Sequence, residues 1–158
     1  METTRIAVSE ATSVQLDWLM AKCEGLPIRR DPMAFGISSA NGGYWVWDET
    51  PRGRMSRIGK EYSPTGDPAL MWPLIESKGI GTTPWYRDGH LIEWTAKRRG
   101  LDFMQRGPSS LIAAARCHIV SELGPVVDVP IDLVETAPPD SQDHGGVDDH
   151  PAAPAPGQ

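Results

Sequence analysis

Aromatic rings set close to arginines are the residues of this chain with the clearest chemical use. Trp45 and Trp47 precede Arg52 and Arg54, Trp85 and Tyr86 precede Arg87, and Trp94 precedes three cations at positions 97–99. Indole faces stack on nucleobases and guanidinium forks hold phosphates bidentately, so a nucleotide-like pocket needs this mixture. Residues 107–110 (GPSS) add the start of a predicted helix, whose free amides and the hydroxyls of Ser109 and Ser110 suit an anion. The plainer reading of the same residues is tryptophan in a core, arginine in water and a serine helix cap. A further polar stretch, Tyr62, Ser63 and Asp67, lies in a Pro- and Gly-rich segment of the kind that usually makes a turn.

Other chemistries find less support. Cys117 and His118 are adjacent on a predicted helix and point about 100° apart, which prevents a Cys–His pair. Cys23 also lies on a helix, and both thiols read as buried and inert. His144 and His150 flank a Gly- and Asp-rich run without the spacing or supporting shell of a metal site. No nucleophile elbow and no paired carboxylates stand out, so the expectation is a binding protein without enzymatic activity, cofactor or metal.

The elements that must position these residues follow from pattern. Thr12 and Gln15 form a capping box, and Leu16, Leu19, Met20 and Cys23 recur on one face of a helix over about 10–24. Asp17, Ala21 and Glu24 fall on the opposite side, with Trp18 at the border. Residues 29–43 read as a loop. Tyr44 and Val46 alternate with Trp45 and Trp47 in a strand. Pro73 would break a longer helix, so a short one over 73–78 is predicted, ended by Gly79. Asp88-Gly89 supplies the positive φ of a two-residue hairpin turn between strands at 83–87 and 90–96. A second long helix spans 109–123, with Ile112, Ala115, Ile119 and Leu123 facing inward. Strands near residues 5–8 and 126–129 complete an α+β domain over 1–134, two main helices packed on a small, mainly antiparallel sheet.

Composition bounds the partners. The chain has 158 residues, 39% hydrophobic and 23% charged, which fits one domain of ordinary globular type. Its net charge is −6, but of the 21 acids five (Glu135, Asp140, Asp143, Asp148, Asp149) fall in residues 135–158, which hold no Lys or Arg. The remaining 16 acids nearly balance 15 bases. General nucleic-acid binding would need a basic excess and is not expected. The acidic, Pro-rich residues 135–158 have little to bury and are expected to be disordered. No apolar run approaches a membrane span, and the first residues lack the pattern of a secretory signal.

Three stretches in order carry a likeness. Residues 13–25 (SVQLDWLMAKCEG), 62–80 (YSPTGDPALMWPLIESKGI) and 107–130 (GPSSLIAAARCHIVSELGPVVDVP) resemble the NinX-like family of small bacteriophage proteins. The resemblance rests on a Leu-Asp-Trp helix, a Tyr-Ser segment leading to a Pro-Leu-Ile-Glu helix, and a Gly-Pro-x-x-Leu-Ile-Ala-Ala-x-Arg helix. Where relatives place an aromatic after the Asp of the Tyr-Ser segment, this chain has Pro68, the nearest ring being Trp72. The likeness implies a small non-structural phage protein acting in the host cytoplasm and brings no known reaction.

Together these readings predict a binder of a small anionic, nucleotide-like ligand, with sequestration of a host signal as one role. Candidate ligand residues are Arg52, Arg54, Tyr62, Trp85, Arg87, Ser109 and Ser110. The alternative is a protein–protein inhibitor or adaptor that anchors on a host or phage protein through Trp45, Trp47 or Trp94. A homo-oligomer is expected on general grounds.

Overall fold

The structure is a computed structural model that describes residues 2–30, 43–47 and 54–135. Arg52 and the tail beyond residue 135 lie outside the described residues. Among the described residues eight strands and four α-helices follow in the order β1 (Thr3–Ala7), α1 (Ser13–Cys23), β2 (Ile28–Arg30), β3 (Tyr44–Trp47), β4 (Met55–Arg57), α2 (Pro68–Lys78), β5 (Ile80–Arg87), β6 (His90–Arg98), β7 (Met104–Gly107), α3 (Ser110–Leu123), β8 (Val126–Pro130) and α4 (Asp132–Glu135), with a short 3-10 turn at Val8–Glu10. The class is α+β, as predicted. The strands form three small antiparallel sheets instead of one: β1–β8, β2–β3–β4 and β5–β6–β7.

α3 packs against β5, β6 and β7 on one side and against α1 and α2 elsewhere, which makes it the centre of the fold. Its predicted inward stripe is corrected in part. Ile112 is only half-buried and Leu123 is 38% exposed, whereas Ala113, Ala114, Cys117 and His118 are buried beside Ala115 and Ile119. An alanine-rich helix lets neighbouring backbones approach closely, so more of its surface is covered than an apolar stripe suggests. At Gly107 a Cβ would stand 2.7 Å from the Ala113 amide nitrogen, so β7 and α3 meet where only glycine fits.

The capping box of α1 is present: the Gln15 amide donates to the Thr12 hydroxyl and the Thr12 amide to the Gln15 side chain. The outer face assigned to this helix is wrong, because Asp17 and Ala21 are both buried. The segment that follows β4 covers that flank, and the Ser63 and Thr65 side chains meet Asp17 there.

α2 starts five residues earlier than predicted, at Pro68, with Asp67 capping the Ala69 amide. Pro73 sits inside it. The proline removes one bond to the Ala69 carbonyl, and because Ala69, Trp72 and Pro73 face solvent, water can take that acceptor. Met71, Leu74 and Ile75 hold the inner face on the core. Trp72 is 57% exposed and donates to Glu76, so it fills no buried aromatic position.

The hairpin turn is as expected: Asp88 and Gly89 have φ of 52° and 80°, the paired positive values of a type I′ turn. Its strands run longer than predicted and contain a register shift between Trp85 and Tyr86. β2, within the stretch read as a loop, and β4 and β7 were not anticipated; each has only three or four residues, too few to show alternation.

Candidate functional site

Aromatic–cation contacts occur between neighbouring strands, with partners other than the cations adjacent in sequence. In the sheet β2–β3–β4 the Arg57 guanidinium lies 5.7 Å from the Trp45 ring centre and the Arg29 guanidinium 5.2 Å from that of Trp47. Register places Arg29 and Arg57 on either side of Trp45. Arg57 is committed further to Glu61, at 2.9 Å, and the guanidinium holds that carboxyl down at about 2. These contacts cover the indoles and leave Trp45 and Trp47 half-buried.

The remaining candidates separate into two groups. Arg54 is exposed beside β4. Tyr62 is half-buried against the core, and desolvation, aided by the charge of Asp17, pushes its hydroxyl up. Neither lines either of the two cavities described below. Arg87 is exposed at the closing pair of the hairpin, opposite His90, and has no ion pair among the described residues. Trp85 lies on β5, and Ser109 and Ser110 at the start of α3, within the unit formed by β5, β6, β7 and α3.

At one end of that unit lies an open cavity of about 570 Å³, whose lining includes Glu93, Met104, Arg106, Gly107, Pro108 and Arg116 but none of Trp85, Ser109 and Ser110. Glu93 pairs across the strands with Trp85, and Thr95 pairs with Arg106. Alternation therefore puts Trp85, Glu93, Thr95 and Arg106 on one sheet face. The Trp85 ring, 50% exposed, is fixed by its N–H donating to the Thr95 hydroxyl at 2.9 Å. Arg106 makes a long pair with Glu93 at 3.7 Å. Ser109 is the N-cap of α3, its hydroxyl accepting from the Ile112 amide at 3.1 Å, and Ser110 is the first helical residue. The plain reading of Ser109 as a cap is the one its side chain fulfils.

Sequence reasoning missed the charged centre of this cavity, Arg116. The guanidinium donates to the carbonyls of Arg106 at 2.7 Å and Ala11 at 3.2 Å. Its Nε is buried with no acceptor among the described residues, and no carboxylate there lies within ion-pair distance of it. Burial lowers its affinity for the proton without threatening its charge. Position 116 is the arginine that ends the Leu-Ile-Ala-Ala-x-Arg stretch, a lone cation in an alanine-rich helix, and that was the signal available.

Elsewhere the buried polar groups serve the fold. The Asp17 carboxylate accepts from the Ser63 hydroxyl at 2.8 Å, the Thr65 amide at 3.0 Å and the Thr65 hydroxyl at 2.9 Å. Desolvation raises this carboxyl to about 6, against the pull of those three bonds. His118 Nε2 stands 3.0 Å from Glu24, and burial lowers the ring's basicity. Burial, with help from Glu122 and Glu24, pushes the Cys23 thiol up to about 12, far from a nucleophilic state. No helix among the described residues is long and apolar enough to cross a membrane.

No curated protein matches the chain at a significant level. The family model described as bacteriophage P22 NinX matches residues 7–122, which span α1, the Asp17-bound segment, the cavity and nearly all of α3. The chain belongs to the NinX family of bacteriophage proteins.

Proposed function

We propose that this protein is a non-enzymatic phage accessory protein that binds a small anionic, nucleotide-like ligand in the cavity at the start of α3, within the host cytoplasm. The observation that carries the reading is Arg116, a half-buried guanidinium that donates to two carbonyls and makes no ion pair with a carboxylate among the described residues. A half-buried cation without a counter-ion gains from an anion that completes it. Arg106 adds a second fork, and the N-terminal turn of α3 adds its dipole. Trp85 lies on the same sheet face as Arg106, two strands away and outside the cavity lining, and offers a ring for a base attached to a phosphate.

The test is thermal unfolding of the full chain with inorganic phosphate, pyrophosphate and nucleoside mono-, di- and triphosphates. At least one should raise Tm in a saturable and salt-sensitive way, and Arg116→Met should abolish the rise while leaving the unliganded Tm nearly unchanged. A flat response across the whole series would sink the proposal.

A second reading, an adaptor for a host or phage protein, is favoured by a different observation. Trp85, Tyr86 and Leu91 are each half exposed or more and neighbour one another near the free end of the hairpin, where Tyr86 pairs with Leu91. Such a patch of rings and aliphatic chains has the composition of an interface anchor. Trp45, Trp47 and Trp94 suit that role less, being half-buried. A stoichiometric partner recovered with the parent chain and lost with Tyr86→Asp would favour this reading over the first.

A further inference from the structure

A second cavity, of about 420 Å³, has the opposite electrical character. Trp18 of α1, Ile28 and Arg30 of β2, Tyr44 of β3 and Asp132 of α4 line it, with Glu2 and Ile131 at its edge. Its volume is at the lower end of the roughly 300–1,000 Å³ typical of small-molecule pockets.

Trp18 is 6% exposed, and its indole N–H is buried without an acceptor among the described residues. Buried donors almost always have partners, so an orphan on the wall of a cavity points to an acceptor that arrives from outside the fold. The walls are aromatic. The Trp18 and Tyr44 rings meet edge to face, with centroids 6.4 Å apart and planes at 76°, and the Arg30 guanidinium lies 5.9 Å from the Tyr44 ring centre. Asp132 accepts from the Tyr44 hydroxyl at 3.4 Å and pairs with Arg30 at 3.2 Å.

Charge selects the ligand further. Among the described lining residues, the carboxylates of Glu2 and Asp132 stand against the Arg30 guanidinium, which is already paired with Asp132. A phosphate would meet net repulsion here, unlike at Arg116. A flat uncharged ring would instead gain from the aromatic walls, give its ring acceptor to Trp18 and offer donors to a carboxylate.

We infer that this cavity binds an uncharged planar heteroaromatic molecule of the nucleobase or nucleoside type, oriented by the Trp18 indole N–H. The site shares no residue with the anion cavity, so either assignment can fail alone.

The experiment is a titration of the full chain, labelled with nitrogen-15 at tryptophan, with adenosine, guanosine, cytidine and uridine, and separately with inorganic phosphate. The Trp18 indole resonance is assigned with Trp18→Phe or, should that variant not fold, by replacing the other tryptophans one at a time. One nucleoside should move the Trp18 N–H resonance saturably, and phosphate should leave it in place whatever it does near Trp85. Trp18→Phe, which keeps a ring but loses the donor, should weaken that nucleoside roughly tenfold. If no nucleoside moves the resonance, or if Trp18→Phe binds as tightly as the parent, the inference is overturned.

Discussion

Asp17 and Arg116 are both charged side chains drawn below the surface, and both lie in the stretches that carry the family likeness, yet the fold treats them oppositely. Asp17 receives three donors from one covering segment and has no unmet need. Arg116 is held by two carbonyls, keeps a buried N–H without an acceptor among the described residues, and meets no opposing charge there. The first pattern is that of a residue whose task is to fix a loop. The second is that of a residue left incomplete by the chain itself. A family motif thus mixes residues of both kinds, and only the accounting of partners separates them.

Removing the acceptor is the most severe way to test the first half of that contrast. Asp17→Ala leaves the buried Thr65 amide and two hydroxyls without their partner, and urea unfolding should show a loss of about 3 kcal/mol. A loss under about 1 kcal/mol would mean that the node does not anchor the segment.

Acidity offers a gentler probe of the same carboxyl. Its ordinary value of 3.8 rises to about 6 in the fold, so the folded chain holds the proton more tightly than the unfolded one. This group therefore favours folding most below pH ~4, and that contribution disappears as pH rises through about 6. A shift of this size corresponds to roughly 2–3 kcal/mol. The difference in unfolding free energy between parent and Asp17→Asn, followed from pH 4 to 7, should show a fall of that order; a difference independent of pH would contradict the burial of the charge.

Gly107→Ala tests the contact that shapes the cavity at the start of α3. The new methyl would press on the Ala113 amide, and overpacking of this kind typically costs about 1–3 kcal/mol, readable as a lowered Tm. The smallest effect on stability is expected at Arg116. Arg116→Met keeps an apolar stem, and its unfolding free energy should lie within about 1 kcal/mol of the parent. A loss as large as that of Asp17→Ala would erase the contrast and make Arg116 one more structural residue.

Local signals were legible in the sequence where the structure is local. The Thr12–Gln15 box, the Asp88-Gly89 turn and the extent of α3 all depend on residues within a few positions of each other. Asp17 was misplaced because its side of α1 is buried by residues 63–65, and nothing near it in the chain announces that cover. Pro73 misled because its effect depends on whether the freed carbonyl meets water. Of the candidate cavity, only Gly107 and Pro108 at the start of α3 were singled out in the sequence; none of the candidate side chains among the described residues lines it, and its cations were sought in loops. Arg106 lies on a four-residue strand too short to recognise, and Arg116 lies on a helix face that reads as ordinary until its surroundings are known.

The pairing of β1 with β8 has a consequence for how the chain is made. Thr3 meets Pro130 and Ala7 meets Val126, so the partner of the first strand is synthesised roughly 120 residues after it. During translation β1 must wait with its backbone groups hydrated while the hairpin and helices between form from nearer contacts. Closing so long a loop is slow compared with local folding, so this two-stranded sheet should be the last to order and the step that commits the nascent chain.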